Sequence, residues 1–198
     1  MKEKDKLRFV LVFTIGYLIL FTVLAVLRGN YEFLYYTLVI TQLMVLIAAL
    51  HKRMHLTTHI IIGLSVLGFL HVAGGNVHIA GVRLYDMHLI GEFFKFDNLV
   101  HALGILIATF VGYNLLAPHL DRRIKYNGLL LGFILVSIAM GIGVFNELLE
   151  FGAVVFLNAA EAAGDYFNNA LDLFFNLIGA IVAVFFIHTY HAKQLKRK

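Results

Sequence analysis

Three pairs or sets of polar residues stand at spacings that could do chemistry. Asp97 and His101 are i, i+4; Glu147 and Glu150 are i, i+3; Asp165, Asp172 and Asn176 are i, i+7 and i+11. On helices each set lies on one face. Hard oxygen donors with one or two imidazoles suit a divalent metal such as Mg²⁺, Mn²⁺ or Zn²⁺, and a chain without cysteine has no thiolate site. On this reading His101, Glu147, Asp165 and Asp172 would hold the metal. Asp97 or Glu150 would orient His101 or act as general base toward a water on the metal. His71, Arg83, Asn168 and Asn176 are placed to support these groups or to bind substrate. No motif points to an organic cofactor.

The elements that carry these residues are apolar. The 198-residue chain is 61% hydrophobic and 14% charged, which marks an integral membrane protein of one domain, 1–198. Six runs are long enough to span a bilayer, at about 9–28, 31–50, 55–73, 98–117, 127–149 and 169–188. The expected fold is therefore an all-α, polytopic bundle of six transmembrane helices. Its partner is the lipid bilayer, it has no nucleic-acid signature, and it is open to oligomerisation. Lys2, Lys4, Lys6 and Arg8 precede the first run and no small-residue cleavage site follows it, so it reads as a retained helix.

Charge sets the orientation. The N-terminus, Lys52 and Arg53, Arg122, Arg123 and Lys125, and the C-terminus hold thirteen of the sixteen Lys and Arg residues. The other side has Arg28, Arg83 and Lys95. Both termini are thus expected to be cytoplasmic, in a multi-pass prokaryotic plasma-membrane protein. This topology brings His71, Asp97, His101, Glu147, Glu150, Asp165, Asp172 and Asn176 to the extracytoplasmic ends of spans three to six. A carboxylate in hydrocarbon costs at least about 2.5–3.5 kcal/mol, so a stripe of them needs partners. Five of them in apolar surroundings need a cation, or some must keep their protons.

Plainer readings cover other residues. Glu32, Asp86, Glu92 and Glu161 lie outside because basic residues lie inside, and His51, His55, His119, His188 and His191 read as interfacial. The loop after Gly74 and Gly75 reads as a re-entrant or interfacial segment. Gly104, Ala108 and Gly112, and likewise Gly128, Gly132, Ser137 and Gly141, read as small ridges for close helix contact, as do Gly179 and Ala183. Gly63-Leu-Ser65-Val-Leu-Gly68 has no strand-to-helix elbow around it and is not a nucleophile motif. There is no His-Glu-x-x-His helix.

The motifs His71-Val-Ala-Gly74-Gly75, Phe96-Asp97-Asn-Leu-Val-His101, Asn146-Glu147-Leu-Leu-Glu150-Phe151 and Gly164-Asp165-Tyr-Phe-Asn168-Asn-Ala170-Leu-Asp172-Leu occur in this order. In them the chain resembles the YjdF family of bacterial inner-membrane proteins. That family is similar in layout to the VanZ-like family, whose Asn-x-x-Gly after the last Asp matches Asn176 and Gly179. Asn168 stands where an Asp is usual in the YjdF pattern, and Ala170 where a Gln is usual. The resemblance implies a multi-span membrane fold and, through VanZ-like chains, a connection with the cell envelope. Neither family has a firmly assigned reaction.

Three functions compete for the polar set. The first is a divalent-metal-dependent enzyme, a membrane hydrolase, acting on a lipid or lipid-linked cell-envelope substrate. The second is a proton- or cation-coupled transporter or sensor, against which no inverted repeat is visible. The third is a non-catalytic scaffold whose polar network links helices.

Overall fold

The computed structural model describes residues 2–54, 56–157 and 165–195, without the side chains of 51–53 and 193–195. His55, Asn158, Glu161 and Gly164, and the side chain of His51, lie outside the described residues. The chain forms helices α1 (Glu3–Arg28), α2 (Tyr31–Met54) and α3 (Thr58–Asn76), then four short strands, β1 (His78–Ile79), β2 (Val82–Arg83), β3 (His88–Ile90) and β4 (Phe94–Lys95). Helix α4 (Phe96–Leu116), the single turn α5 (Arg122–Lys125), α6 (Gly128–Leu157) and α7 (Tyr166–Leu195) follow. Six of these helices are long and apolar enough to cross a bilayer.

The helices run past several expected ends. Helix α6 continues to Leu157 because Phe151, Val154, Val155 and Phe156 carry its apolar character through. Glu147 and Glu150 therefore sit two to three turns inside the helix, not at its tip.

Local chemistry closes the joint between the first three helices. Gly29 takes the left-handed conformation (φ 65°) that ends α1, and its N–H reaches the carbonyls of Ala25 and Val26. Asn30 then accepts the Phe33 N–H at 3.2 Å, starting α2, and donates to the Gly75 carbonyl at 3.3 Å. Arg28 donates to the Asn76 carbonyl, placing a cation at the C-terminus of α3. Deeper in the membrane, Thr14 and Ser65 share a buried hydrogen bond of 2.6 Å. Ser65 is thus a helix-packing residue, consistent with rejecting it as a nucleophile.

The loop after α3 is not an α-helix. It consists of two small antiparallel hairpins, β1–β2 and β3–β4, with a 3-10 turn at Leu84–Asp86 between them. Ala80 and Gly81 both have positive φ, which gives the first hairpin a turn whose twist suits paired strands. The 3-10 turn drives Tyr85 inward until it is 6% exposed. Its ring fills the space beside Gly74, where a Cβ would come within 2.5 Å of it, and the Phe33 ring likewise fills the space beside Gly75. The two glycines of the His71 motif are sockets for aromatic rings.

Helix α4 packs most closely on α7, α1 on α3, and α6 on α7. At the α4–α7 crossing a Cβ on Gly179 would lie 2.1 Å from the Ala102 carbonyl oxygen. Gly179 and the fully buried Ala183 therefore form the close contact expected of them. The other small ridges behave differently. Gly128 and Gly132 meet His188 of α7, whereas Gly141 has nothing within 4 Å. Gly104 and Ala108 line a cavity, and Gly104 also sits at contact distance from Leu67 of α3.

Candidate functional site

Helix α4 begins with a side chain that works twice. Asn98 accepts the Lys95 N–H at 2.9 Å, closing the first turn, and its amide donates to Asp172 Oδ1 at 3.0 Å. Asn98 and Asp172 are both 0% exposed. One turn earlier on α7, Asn168 donates to the other Asp172 oxygen at 2.9 Å. The carboxylate of Asp172 is thereby fixed at both oxygens. The tight Gly179 crossing sets its distance from α4.

His101 lies one turn after Asp97 and is the hub. Its Nε2 is 3.6 Å from Asp97 Oδ1, 3.7 Å from Glu150 Oε1 and 3.9 Å from Asp172 Oδ1. Its Nδ1 is 3.6 Å from Glu147 Oε1. All four distances exceed a hydrogen bond. They approach the separation of about 3.4 Å between ligands on a tetrahedral ion with bonds near 2.1 Å. Glu150 is steadied by Asn146, which donates to it at 3.0 Å from one turn back on α6. Glu147 is different: both of its oxygens are buried, and neither has a hydrogen-bond partner among the described residues.

The geometry offers two overlapping donor sets, Asp97, His101 and Asp172, and His101, Glu147 and Glu150, each with atoms within 4.8 Å of one another. This buried Asp/His/Glu group could hold a metal ion. Five of the expected residues thus come together. Asp165 does not join them. It is exposed, and its Oδ1 accepts the Asn168 N–H at 3.0 Å as the N-cap of α7. The i, i+7 spacing with Asp172 is real, but seven residues also carry it about 10 Å along the axis, out of reach.

Around the hub, Asn176 is 1% exposed and lies beside His101, and neither its amide nitrogen nor its oxygen is within hydrogen-bonding geometry of a partner among the described residues. His71 Nδ1 is 2.6 Å from the Tyr85 hydroxyl. Burial pushes the Tyr85 phenol well above its usual pKa, so it stays protonated, and the direction of the bond follows the His71 tautomer. Arg83 holds Asp86 through two hydrogen bonds, 2.8 and 3.1 Å, and lies 3.8 Å from Glu32. Burial works against its charge, but Asp86, Glu32 and Asp97 outweigh it and raise its pKa. Glu32 is therefore more than a by-product of topology. His191 departs from expectation too: it is buried and meets the Tyr113 hydroxyl at 2.5 Å.

Beneath His101 a cavity of about 260 Å³ opens between α2, α3, α4 and α6. Asn98, Asn146, Tyr85 and Tyr36 surround or support this region and were not singled out in sequence. Asn98, third residue of a helix after a loop, carried a capping signal; Tyr85, in an irregular turn, carried none.

Residues 9–193 match the model of the family of predicted membrane proteins known as DUF2238. The chain belongs to this family. Over 107 residues it is 25% identical to the inner membrane protein YjdF of Escherichia coli (strain K12), a stretch covering 52% of this chain and 50% of that protein. The chain thus spans about half the length of the curated relative it matches. No solved structure matches it. Family and helices together make this DUF2238 chain a multi-pass membrane protein, in line with the resemblance to YjdF proteins.

Proposed function

We propose that the chain is a divalent-metal-dependent membrane enzyme acting on a lipid or lipid-linked cell-envelope substrate. Its cluster would face the extracytoplasmic side, an orientation supported by the distribution of the basic residues. The observation that carries the reading is the hub itself: four carboxylates surround one imidazole at 3.6–3.9 Å, beyond hydrogen bonding.

We assign one division of labour among these groups. Nε2 of His101 with Asp97 and Asp172 forms the ligand set for Mg²⁺, Mn²⁺ or Zn²⁺, with Glu150 beside it. Asp97, first read as a base, becomes a ligand. Glu147 lies 3.6 Å from Nδ1, on the side of the ring away from that ligand set, and makes no hydrogen bond to it. Asn98 and Asn168 hold Asp172 in place. Glu150, steadied by Asn146, is the group placed to take a proton from an attacking water. When bound, the ion would polarise a substrate oxygen as a Lewis acid. Arg83, charged and close to the cluster, is suited to an anionic headgroup. The link to the cell envelope rests on the resemblance to VanZ-like chains.

A second reading draws on the unpartnered Glu147: a buried carboxylate without a hydrogen bond can also carry a proton, as in a coupled transporter or sensor. Elemental analysis separates them, using protein purified without chelator or polyhistidine tag, with His101→Gln alongside. Stoichiometric Mg, Mn or Zn in the wild type, lost in the variant, supports the enzyme. Absence of metal from both refutes it in favour of proton carriage.

A further inference from the structure

The cavity beneath His101 has a direction. Its walls are α2, α3, α4 and α6, with Asn176 of α7 at the site end, and depth can be read from position along each. On α2 the lining residues Tyr36, Ile40, Met44 and Ile47 recur at helical spacing and run inward from the site. Eleven residues of helix give the slot a length of about 16 Å. The polar lining residues, Tyr36, His71, His101, Asn146 and Asn176, all lie at the site end. The far end is walled by Leu64, Ala108, Ile142 and Ile47. A volume of about 260 Å³ is below the usual range of ligand pockets, roughly 300–1,000 Å³, and drawn out over that length it is slender.

Two further features point to an occupant. Leu43 and Ile142, on facing walls, are 50% and 42% exposed, so the slot opens sideways between α2 and α6 toward hydrocarbon. Asn176 faces the slot just below His101 with a buried donor and a buried acceptor that nothing satisfies among the described residues. Such a group costs free energy unless a ligand completes it.

We propose that this slot seats one aliphatic chain of an amphiphilic lipid, entered from the bilayer between α2 and α6, with Asn176 binding the polar junction between chain and head. The head then lies at His101 and the carboxylates. This deepens the lipid-substrate reading and rests on it. A slot this narrow admits a single chain, so a diacyl lipid would leave its second chain in the bilayer. Slot depth makes Ala108 and Ile47 the floor of a chain-length gauge.

The test uses the full chain in lipid nanodiscs with 1-monoacylglycerols of graded chain length, each with a photoreactive diazirine at the chain terminus. Peptide mapping should place the label of the best-fitting chain at Leu43–Ile47, Leu64 or Ala108. Ala108→Phe and, from the opposite wall, Ile47→Trp should each shift the preference to shorter chains. Labelling by the longest should fall about ten-fold, the loss of roughly two buried methylenes. Asn176→Leu should weaken labelling by the monoacylglycerol but not by a diazirine alkane lacking a head. Label spread as densely over the lipid-facing Phe9, Val12 and Leu27 as over the slot would overturn the proposal. So would an unchanged chain-length preference in both wall variants. Metal content measured in the same samples keeps the two ideas apart. Slot labelling without metal removes only the metal reading; bound metal with diffuse labelling removes only the slot.

Discussion

Asp172→Asn is the substitution for which the structure makes the sharpest demand. The replacement keeps shape and volume but turns one oxygen into an NH₂ group. Both oxygens of Asp172 now accept from amides, Asn98 at 3.0 Å and Asn168 at 2.9 Å. An amide at 172 can accept from only one of them; Asn98 is pinned by the Lys95 N–H, so Asn168 must turn its amide to offer its oxygen to the new NH₂. That rotation keeps the contacts paired, so the apo variant should melt close to the apo wild type. The larger effect is on metal. A divalent ion at one hundred times its Kd stabilises the folded state by about 2.7 kcal/mol. For a chain of this size, a kcal/mol moves Tm by about 2–4 °C. Wild type in detergent should therefore gain roughly 5–11 °C on titration with Mn²⁺ or Zn²⁺. Asp172→Asn should gain almost nothing. Differential scanning fluorimetry with and without EDTA reads both quantities. Should the variant keep the full metal-dependent shift, Asp172 is not a ligand and the division of labour around His101 is wrong.

Asp165→Ala should do the reverse: lose about 0.5–2 kcal/mol of stability through the missing helix cap, yet retain the metal-dependent shift in the same fluorimetric titration. Gly179→Ala forces a methyl against the Ala102 carbonyl at 2.1 Å. It should cost about 1–3 kcal/mol or more by overpacking, read as a lowered midpoint in an unfolding titration in mixed micelles.

Helix number and the site's membership were legible because both depend on short-range regularity. Apolar runs of bilayer length mark spans regardless of neighbours, and i, i+3 or i, i+4 spacing puts Asp97 with His101 and Glu147 with Glu150 on any helix. What failed depends on the third dimension. Asp165 and Asp172 share a face in projection, but a face is a line about 10 Å long between them, and only one point of it meets α4. Small residues along α4 read as a packing ridge, yet Gly104 and Ala108 border a cavity while the close contact is made by Gly179 opposite Ala102. The hairpins escaped notice because their strands are two or three residues long, too short for a period. The Gly74–Gly75 pair was visible in sequence; that Tyr85 and Phe33 would occupy the spaces beside it was not.

The scaffold reading can be weighed on the hydrogen bonds themselves. A polar network whose task is to fasten helices closes its bonds, because each open one in a low-dielectric interior costs more than the network gains. Part of this site is closed in that way: Asn98, Asp172 and Asn168 form a continuous chain across α4 and α7, and Asn146 braces Glu150. The other part is open, with both oxygens of Glu147 and both polar atoms of Asn176 buried and without a hydrogen bond among the described residues. The two parts meet at His101. A fastening role accounts for the first and makes the second a pure loss. A binding role accounts for both, since rigid braces are what hold unsatisfied donors and acceptors at fixed positions until a ligand completes them.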